Sequence, residues 1–410
     1  MSVLSHRTRK LRFAGTLRGR SPSETLAAIE SLPSRVGITR VANVTGLDCI
    51  GIPNYVAIRP NSRSLSVSQG KGVDHDMARL SALMESIEQH FAETADVPLR
   101  RGTYAELRSR YHVVDPFSLP AYARRWTEHT PMLWTTAHEI ASGAPVEVPF
   151  DLVHANLTLP LPSDSGYFPI GTNGLASGNS VAEALVHGLC ELIERDSLAL
   201  FYASPPADQF SRCLALDSVA DPVASWLLER YQLAGIRVAV WDITSDIGVS
   251  AFFCSIIDET PDPFRQVGLA SGFGCHLDRS VALCRALCEA AQSRLTKITG
   301  SRDDISFRDF ARNGSHEQMR RARAQLPSAG FRELGSIPNI DFETFEDALG
   351  VLGAALTRCG LGPASFVVLS PADAPVSVVR VIVPGLEGVP TVPGYRAGSR
   401  VRGLGRACAS

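Results

Sequence analysis

Three stretches of this chain place acidic and amide side chains on one face of a helix, each directly after a glycine-rich segment. The first is Ser-Gln-Gly-Lys-Gly at 68–72, followed by Ser81, Glu85 and Glu88. The second is Ala-Ser-Gly-Asn at 176–179, followed by Glu183, Glu191, Glu194, Arg195 and Asp196. The third is Ala-Ser-Gly-Phe-Gly at 270–274, followed by Arg285, Glu289, Gln292 and Arg294. Separations of three, four, eight and eleven return to one side of a 3.6-residue helix. Apolar residues such as Leu83, Ile87, Leu189, Ile193, Val281 and Leu287 fill much of the remaining helix surface. These helices should therefore be largely buried, with their glutamates where charge is expensive. Two carboxylates about 4 Å apart repel by about 4 kcal/mol at an effective dielectric of about 20. Such a cluster calls for cations. Mg²⁺ accompanied by a phosphate ligand is the simplest answer.

The rest of the composition bounds the problem without solving it. A length of 410 residues with 45% apolar and 20% charged side chains suits a globular enzyme with a sizeable core. A net charge of −2 gives no ground for nucleic-acid binding. The basic residues Arg7, Arg9, Lys10, Arg12, Arg18 and Arg20 crowd the start, and read as a solvated arm or as an anion-contacting segment. No signal peptide and no membrane-length apolar run is visible. The nine cysteines lack C-x-x-C spacing, which reads as reduced thiols in a cytoplasmic protein. Cys275, His276, Cys284 and Cys288 are expected in the core or loops rather than at a metal.

The pattern predicts an α/β chain of mixed α+β type, with β-sheets packed against helices. Helices are expected over 21–31, 74–95, 181–202, 221–234, 279–299 and 342–358. Strands are expected over 54–59, 64–68, 236–242, 249–257, 365–369 and 377–383, and residues 98–165 as loops with short strands. The glycine-rich segments read as turns. Residues 1–60 are expected to form an N-terminal segment with a basic arm and a helix. Residues 61–390 should form the main domain, which carries the three motif helices, and 391–410 an irregular tail. The motif spacing and the repeated Ala-Ser-Gly hint at an internal pseudo-duplication. No Walker A loop, dinucleotide fingerprint, kinase motif set, G-x-S-x-G elbow or H-E-x-x-H is present. A nucleotide site here needs a different frame.

Taken in order, Gly-Lys-Gly then Ser81-x₃-Glu85-x₂-Glu88, Asn179-x₃-Glu183-x₇-Glu191-x₂-Glu194-Arg195-Asp196, and Arg285-x₃-Glu289-x₂-Gln292-x-Arg294 resemble the three ATP-site motifs of the YcaO superfamily. Leu47-Asp48-x-Ile50-Gly51-Ile-Pro, Gly300-Ser-Arg-Asp-Asp304 and Val-Ile-Val-Pro-Gly-Leu at 381–386 are similar to its TfuA-associated branch. The resemblance implies a YcaO-like fold and an ATP- and Mg²⁺-dependent enzyme that activates backbone amides. Glu85, Glu88, Glu191, Glu194 and Glu289 would hold metal. Lys71, Ser81, Asn179, Glu183, Arg195, Arg285 and Gln292 would contact the nucleotide. No individual catalytic residue is assigned.

The family chemistry implied is phosphorylation of a backbone amide oxygen, followed by attack of a nucleophile and loss of phosphate. External sulfide would give a thioamide, with a TfuA-like partner and a sulfide donor. A neighbouring Cys, Ser or Thr would give an azoline, with a leader-binding partner. A third option is a non-catalytic accessory factor for ribosomal-protein methylthiolation. The substrate would be a precursor peptide or a protein, and a homodimer is compatible with the chain. Two departures stand out. Glu88 is followed by Gln89 where the family usually has Arg, and the Pro-rich end of the azoline-forming branch is absent. The second departure tilts the expectation toward a thioamide. A Mg²⁺-dependent ATP-grasp enzyme or small-molecule kinase is the rival from another class, but its glycine loop and lysine strand are not found.

Overall fold

The structure is a computed structural model that describes residues 7–120, 125–260, 267–305, 316–392 and 394–407. The chain opens with β1 (Leu11–Phe13), β2 (Thr16–Arg18), α1 (Pro22–Ala28) and α2 (Leu32–Arg35). Next come β3 (Arg40–Asn43), β4 (Asn54–Ile58), β5 (Val67–Lys71) and α3 (His75–Glu93). The middle holds β6 (Arg100–Gly102), α4 (Tyr104–Leu107), β7 (Met132–Glu139), β8 (Pro145–Pro149), β9 (Leu175–Gly178) and α5 (Val181–Ala203). Then follow α6 (Pro206–Ser211), α7 (Pro222–Leu233), β10 (Ile236–Asp242), β11 (Ala251–Asp258), β12 (Ala270–Cys275) and α8 (Arg279–Thr299). The chain closes with α9 (His316–Gln325), α10 (Phe345–Arg358), β13 (Ser365–Val368), β14 (Ser377–Ile382) and α11 (Ser399–Ala407).

Local chemistry sets these boundaries. Ser21 and Glu24 form a reciprocal capping box before α1, with Pro22 in the first turn. Asp74, Ser180, Asp221 and Asp278 accept backbone N–H groups at the starts of α3, α5, α7 and α8. Gly300 ends α8 in the left-handed region, at φ +57°.

Four sheets result: the β1–β2 hairpin, β3-β4-β5, β10-β11-β12, and a larger sheet ordered β6-β7-β13-β14-β9 with β8 also on β7. Every pairing between these strands is antiparallel. The fold is thus mixed α/β of the α+β kind, and among the described residues no helix links parallel strands. The β4–β5 pairing runs across residue 60. One apolar core joins α5 and α10 to β9 and β14, a second lies beneath α3, and a third lies between α7, α8 and β10–β11.

The glycine-rich segments are strands, not turns. A strand–helix unit occurs three times: β5 to α3, β9 to α5, and β12 to α8. In each, a strand glycine lies against the backbone of the helix that follows. A Cβ on Gly70 would sit 2.0 Å from the Ala82 nitrogen, and one on Gly272 would sit 2.2 Å from the Ala290 nitrogen. A Cβ on Gly274 would meet the Ala282 carbonyl at 2.1 Å, and one on Gly178 the Ala184 nitrogen at 2.6 Å. These glycines have ordinary φ values, and the missing side chain lets helix and strand backbones touch. The same glycines displaced the expected strand at 64–68, which is β5 at Val67–Lys71.

Two further expectations change. The tail contains a helix, α11, where composition reads as irregular. The basic arm is strapped down by ion pairs, although Arg7 and Arg12 stay largely exposed to solvent. Arg7 pairs with Asp347, Lys10 with Asp341, Arg12 with Asp278 and Arg18 with Glu183. The Lys10 ammonium also lies 4.3 Å from the centre of the Phe342 ring. Cys275, Cys284 and Cys288 are buried.

Candidate active site

The motif faces of α3, α5 and α8 meet. Lys71, at the end of β5, donates to Glu289 at 2.6 Å and to Gln292 at 3.1 Å, joining the first motif to the third. Glu88 accepts the Ser177 hydroxyl, joining the first to the second. The Phe273 N–H donates to the other Glu289 oxygen at 3.3 Å. Arg195 lies 3.4 Å from Glu194 and over the Phe273 ring. Residues some 200 positions apart therefore share one polar region, because each helix turns its non-aliphatic stripe inward. The Glu289 and Lys71 side chains keep 22% and 25% of their exposure. They lie deep in the fold and yet remain reachable by solvent.

Burial pushes Glu85 up to about 7, against the pull of Lys71 and Arg302. Burial, with repulsion from Glu85 and Glu191, pushes Glu88 up to about 8. Glu194 rises to about 7 by burial and the nearby Glu289, against Arg195. Glu191 rises by burial, opposed by Arg195 and Arg380. Burial acts to raise Glu289 as well, but Lys71 and Arg195 outweigh it and hold that group low. Carboxylates that resist ionisation together fit a site completed by a cation, and their hard oxygens suit Mg²⁺. Among the described residues no three carboxylate, thiol or imidazole groups form a ready-made metal cage.

The remaining candidates take varied places. Asn179 does not cap α5; Ser180 does. Asn179 accepts the Thr25 hydroxyl at 2.8 Å and donates to Glu183 at 3.1 Å. Glu183 also accepts the Gly19 N–H at 3.0 Å, so it ties the arm to α5. Ser81 lies one turn before Glu85 on α3. Arg294 is not at the site: it is buried between Asp48 and Asp258 as a structural clasp. Asp196 is also structural, accepting the Glu387 N–H and the Arg400 guanidinium. Gln89, where the family has Arg, is buried between the Ser68 hydroxyl and Glu85. The cations acting on Glu85 are instead Lys71 and Arg302, and Arg302 is held bidentately by Asp304 at 2.8 and 2.6 Å.

Two groups at the site escaped the sequence reading. Arg380 is 1% exposed and donates to the carbonyls of Val153, Gly171 and Asn173 while its charge acts on Glu191. Its signal was a lone charge inside the Ser-Val-Val-Arg-Val-Ile strand. His187 lies on α5 midway between Glu183 and Glu191 and accepts from Arg285 at 2.7 Å. Its spacing of four from each glutamate was the available signal.

The family model "YcaO cyclodehydratase, ATP- and Mg²⁺-binding" matches residues 69–387. The chain belongs to the YcaO family. An uncharacterised protein in the tfuA 3′ region of Rhizobium leguminosarum bv. trifolii is 36% identical over 392 residues, covering 93% of this chain and 92% of that one. An uncharacterised protein of Methanothermobacter thermautotrophicus is 37% identical over 393 residues, covering 93% of this chain and 97% of its own. Two solved structures share the fold. YcaO from Methanopyrus kandleri bound with AMPPCP and Mg²⁺ superposes with a TM-score of 0.73 at 23% identity, covering 96% of this chain and 99% of that one. A heterocyclase in complex with substrate and cofactor gives 0.76 at 22% identity, covering 93% of this chain; the present chain spans 54% of that heterocyclase. ATP and Mg²⁺ are the cofactors of this family. No described helix is long and apolar enough to cross a membrane.

Proposed function

We propose that this YcaO enzyme uses ATP to phosphorylate a backbone amide oxygen in a ribosomally made peptide or protein and then installs sulfur as a thioamide. The observation that carries the sulfur outcome is the relative in the tfuA 3′ region, which matches over nearly the full length of both chains. The balance of the reaction is simple. The amide oxygen bonds to the γ-phosphorus and ADP leaves. Hydrosulfide then adds to the activated carbon, and the C–O bond breaks as phosphate departs. Amide oxygen is a poor leaving group, and phosphorylation makes it a good one.

In this reading Glu85, Glu88, Glu191, Glu194 and Glu289 hold Mg²⁺, which supplies charge neutralisation for the transferred phosphoryl group. Arg195 and Arg285 present guanidinium forks to phosphate oxygens. Lys71 and Gln292 orient Glu289, and Ser81 and Asn179 line the nucleotide. Glu183 acts by holding Asn179 and the arm that carries Arg18. Residues 61–390 make the catalytic unit. A TfuA-like protein would present the peptide and assist delivery of sulfide.

A second reading is azoline formation, favoured by the family model's description as a cyclodehydratase. The deciding experiment incubates the enzyme with a candidate precursor peptide, a TfuA-like partner, Mg-ATP and sulfide, read by mass spectrometry. Exchange of one oxygen for sulfur supports the thioamide. Loss of one water with no sulfur gained reverses the choice in favour of the azoline.

A further inference from the structure

Arg285 is surrounded by acid and yet bonded to none of it. Its charge acts on Glu191, Glu194 and Glu289. No carboxylate lies within ion-pair distance of it among the described residues; its one side-chain hydrogen bond there is to the ring of His187, Nη2 to Nε2 at 2.7 Å. A guanidinium has five N–H donors and no acceptor. The His187 Nε2 must therefore be the acceptor and the ring proton must sit on Nδ1. Burial, with the Arg285 and Arg18 charges, keeps the ring well below its usual basicity and so neutral. Nδ1 is enclosed and faces the Ser177 backbone, which it reaches only loosely. With Nδ1–H turned to the Ser177 backbone, the ring is oriented to present its Nε2 lone pair to Arg285.

We propose that His187 is a positioning residue whose Nε2 lone pair holds the Arg285 guanidinium off the surrounding carboxylates, so that its free N–H edge stays available to a nucleotide phosphate. A neutral acceptor suits this task. A carboxylate in its place would neutralise the guanidinium, and an aliphatic side chain would let it swing to Glu289 or Glu194, one turn along α8 or across on α5. The proposal rests on the nucleotide reading of the site.

The test compares His187→Gln, His187→Leu, Arg285→Leu and the double variant His187→Leu/Arg285→Leu. The Gln Oε1 falls near the place of Nε2 and keeps an acceptor, whereas Leu keeps bulk alone. Calorimetric titration of Mg-ATP should give near-wild-type affinity for His187→Gln and an affinity lowered about tenfold or more for His187→Leu, the scale of a lost charge-assisted hydrogen bond. Melting temperature without nucleotide should change little in His187→Leu. The double variant should bind no worse than Arg285→Leu alone, because His187 acts through Arg285. Additive losses, or equal losses in the Gln and Leu variants, would overturn the positioning role. Absence of Mg-ATP binding in the wild type would instead remove the nucleotide reading beneath it.

Discussion

Glu191 and Glu194 sit one helical turn apart on a helix whose other faces carry Leu189, Leu192 and Ile193. Each is pressed toward its neutral form by burial in the absence of a cation. Glu194→Gln keeps the volume and removes the charge. It should lower ATP turnover by about a hundredfold or more, since a group that neutralises transition-state charge is lost. Its melting temperature without nucleotide should hold or rise, because one repelling carboxylate is gone. Turnover assays and thermal melts of the same preparation check both halves. At this scale the sequence was informative for the glutamates, whose spacing sets them on one face. It was uninformative for Arg380 and His187, because a single residue in a strand or helix carries no period. It misled for Arg294, whose partners Asp48 and Asp258 are far away along the chain.

The helices were legible because amphipathic period and capping residues act over short stretches of chain, as at Ser21–Pro22 and Asp221–Pro222. The glycine-bearing strands were not. Gly70, Gly178, Gly272 and Gly274 look like turn residues until the helix backbone that crowds them is known. Gly272→Ala should therefore destabilise by about 2 kcal/mol or more, since backbone atoms on α8 cannot yield as a side-chain end could. Gly350, inside α10, has nothing within 4 Å of an added Cβ. Gly350→Ala should stabilise by about 0.5–1 kcal/mol through helix propensity. Denaturant titrations of the two variants should move in opposite directions. Equal effects would mean that the strand–helix contact is not close. The tail helix α11 was missed because it is tied down by distant groups: Arg400 bonds Asp196 and Asp246.

For the whole molecule, the site leaves a mark on stability against pH. Glu85, Glu88 and Glu194 have native values raised to about 7, 8 and 7 from an ordinary 4.5. Between about pH 4.5 and 8 the native state holds more protons at these groups than the unfolded chain does. Their contribution to stability is therefore largest at the acid end and is lost as pH rises through 7 to 8. Without Mg²⁺ and nucleotide, the melting temperature should fall across pH 6 to 8.5. With saturating Mg-ATP the fall should shrink, because the ionised carboxylates are then neutralised by metal. Glu88→Gln should flatten the metal-free profile. An unchanged slope in that variant would show that Glu88 does not titrate there.

The account as a whole turns on the acidic faces of α3, α5 and α8 forming one Mg²⁺-dependent nucleotide site. The direct measurement is calorimetric titration of ATP into the wild-type enzyme and into Glu194→Gln, each with Mg²⁺ and with the metal chelated, alongside melting curves. A ligand that binds only the native state stabilises it by about 2.7 kcal/mol at a concentration of about 100 Kd. The prediction is a clear heat of binding and a raised melting temperature for wild type with Mg-ATP, little of either for ATP without metal, and a weakened response in Glu194→Gln. Binding that is indifferent to Mg²⁺ and unaffected by Glu194→Gln would contradict the carboxylate site.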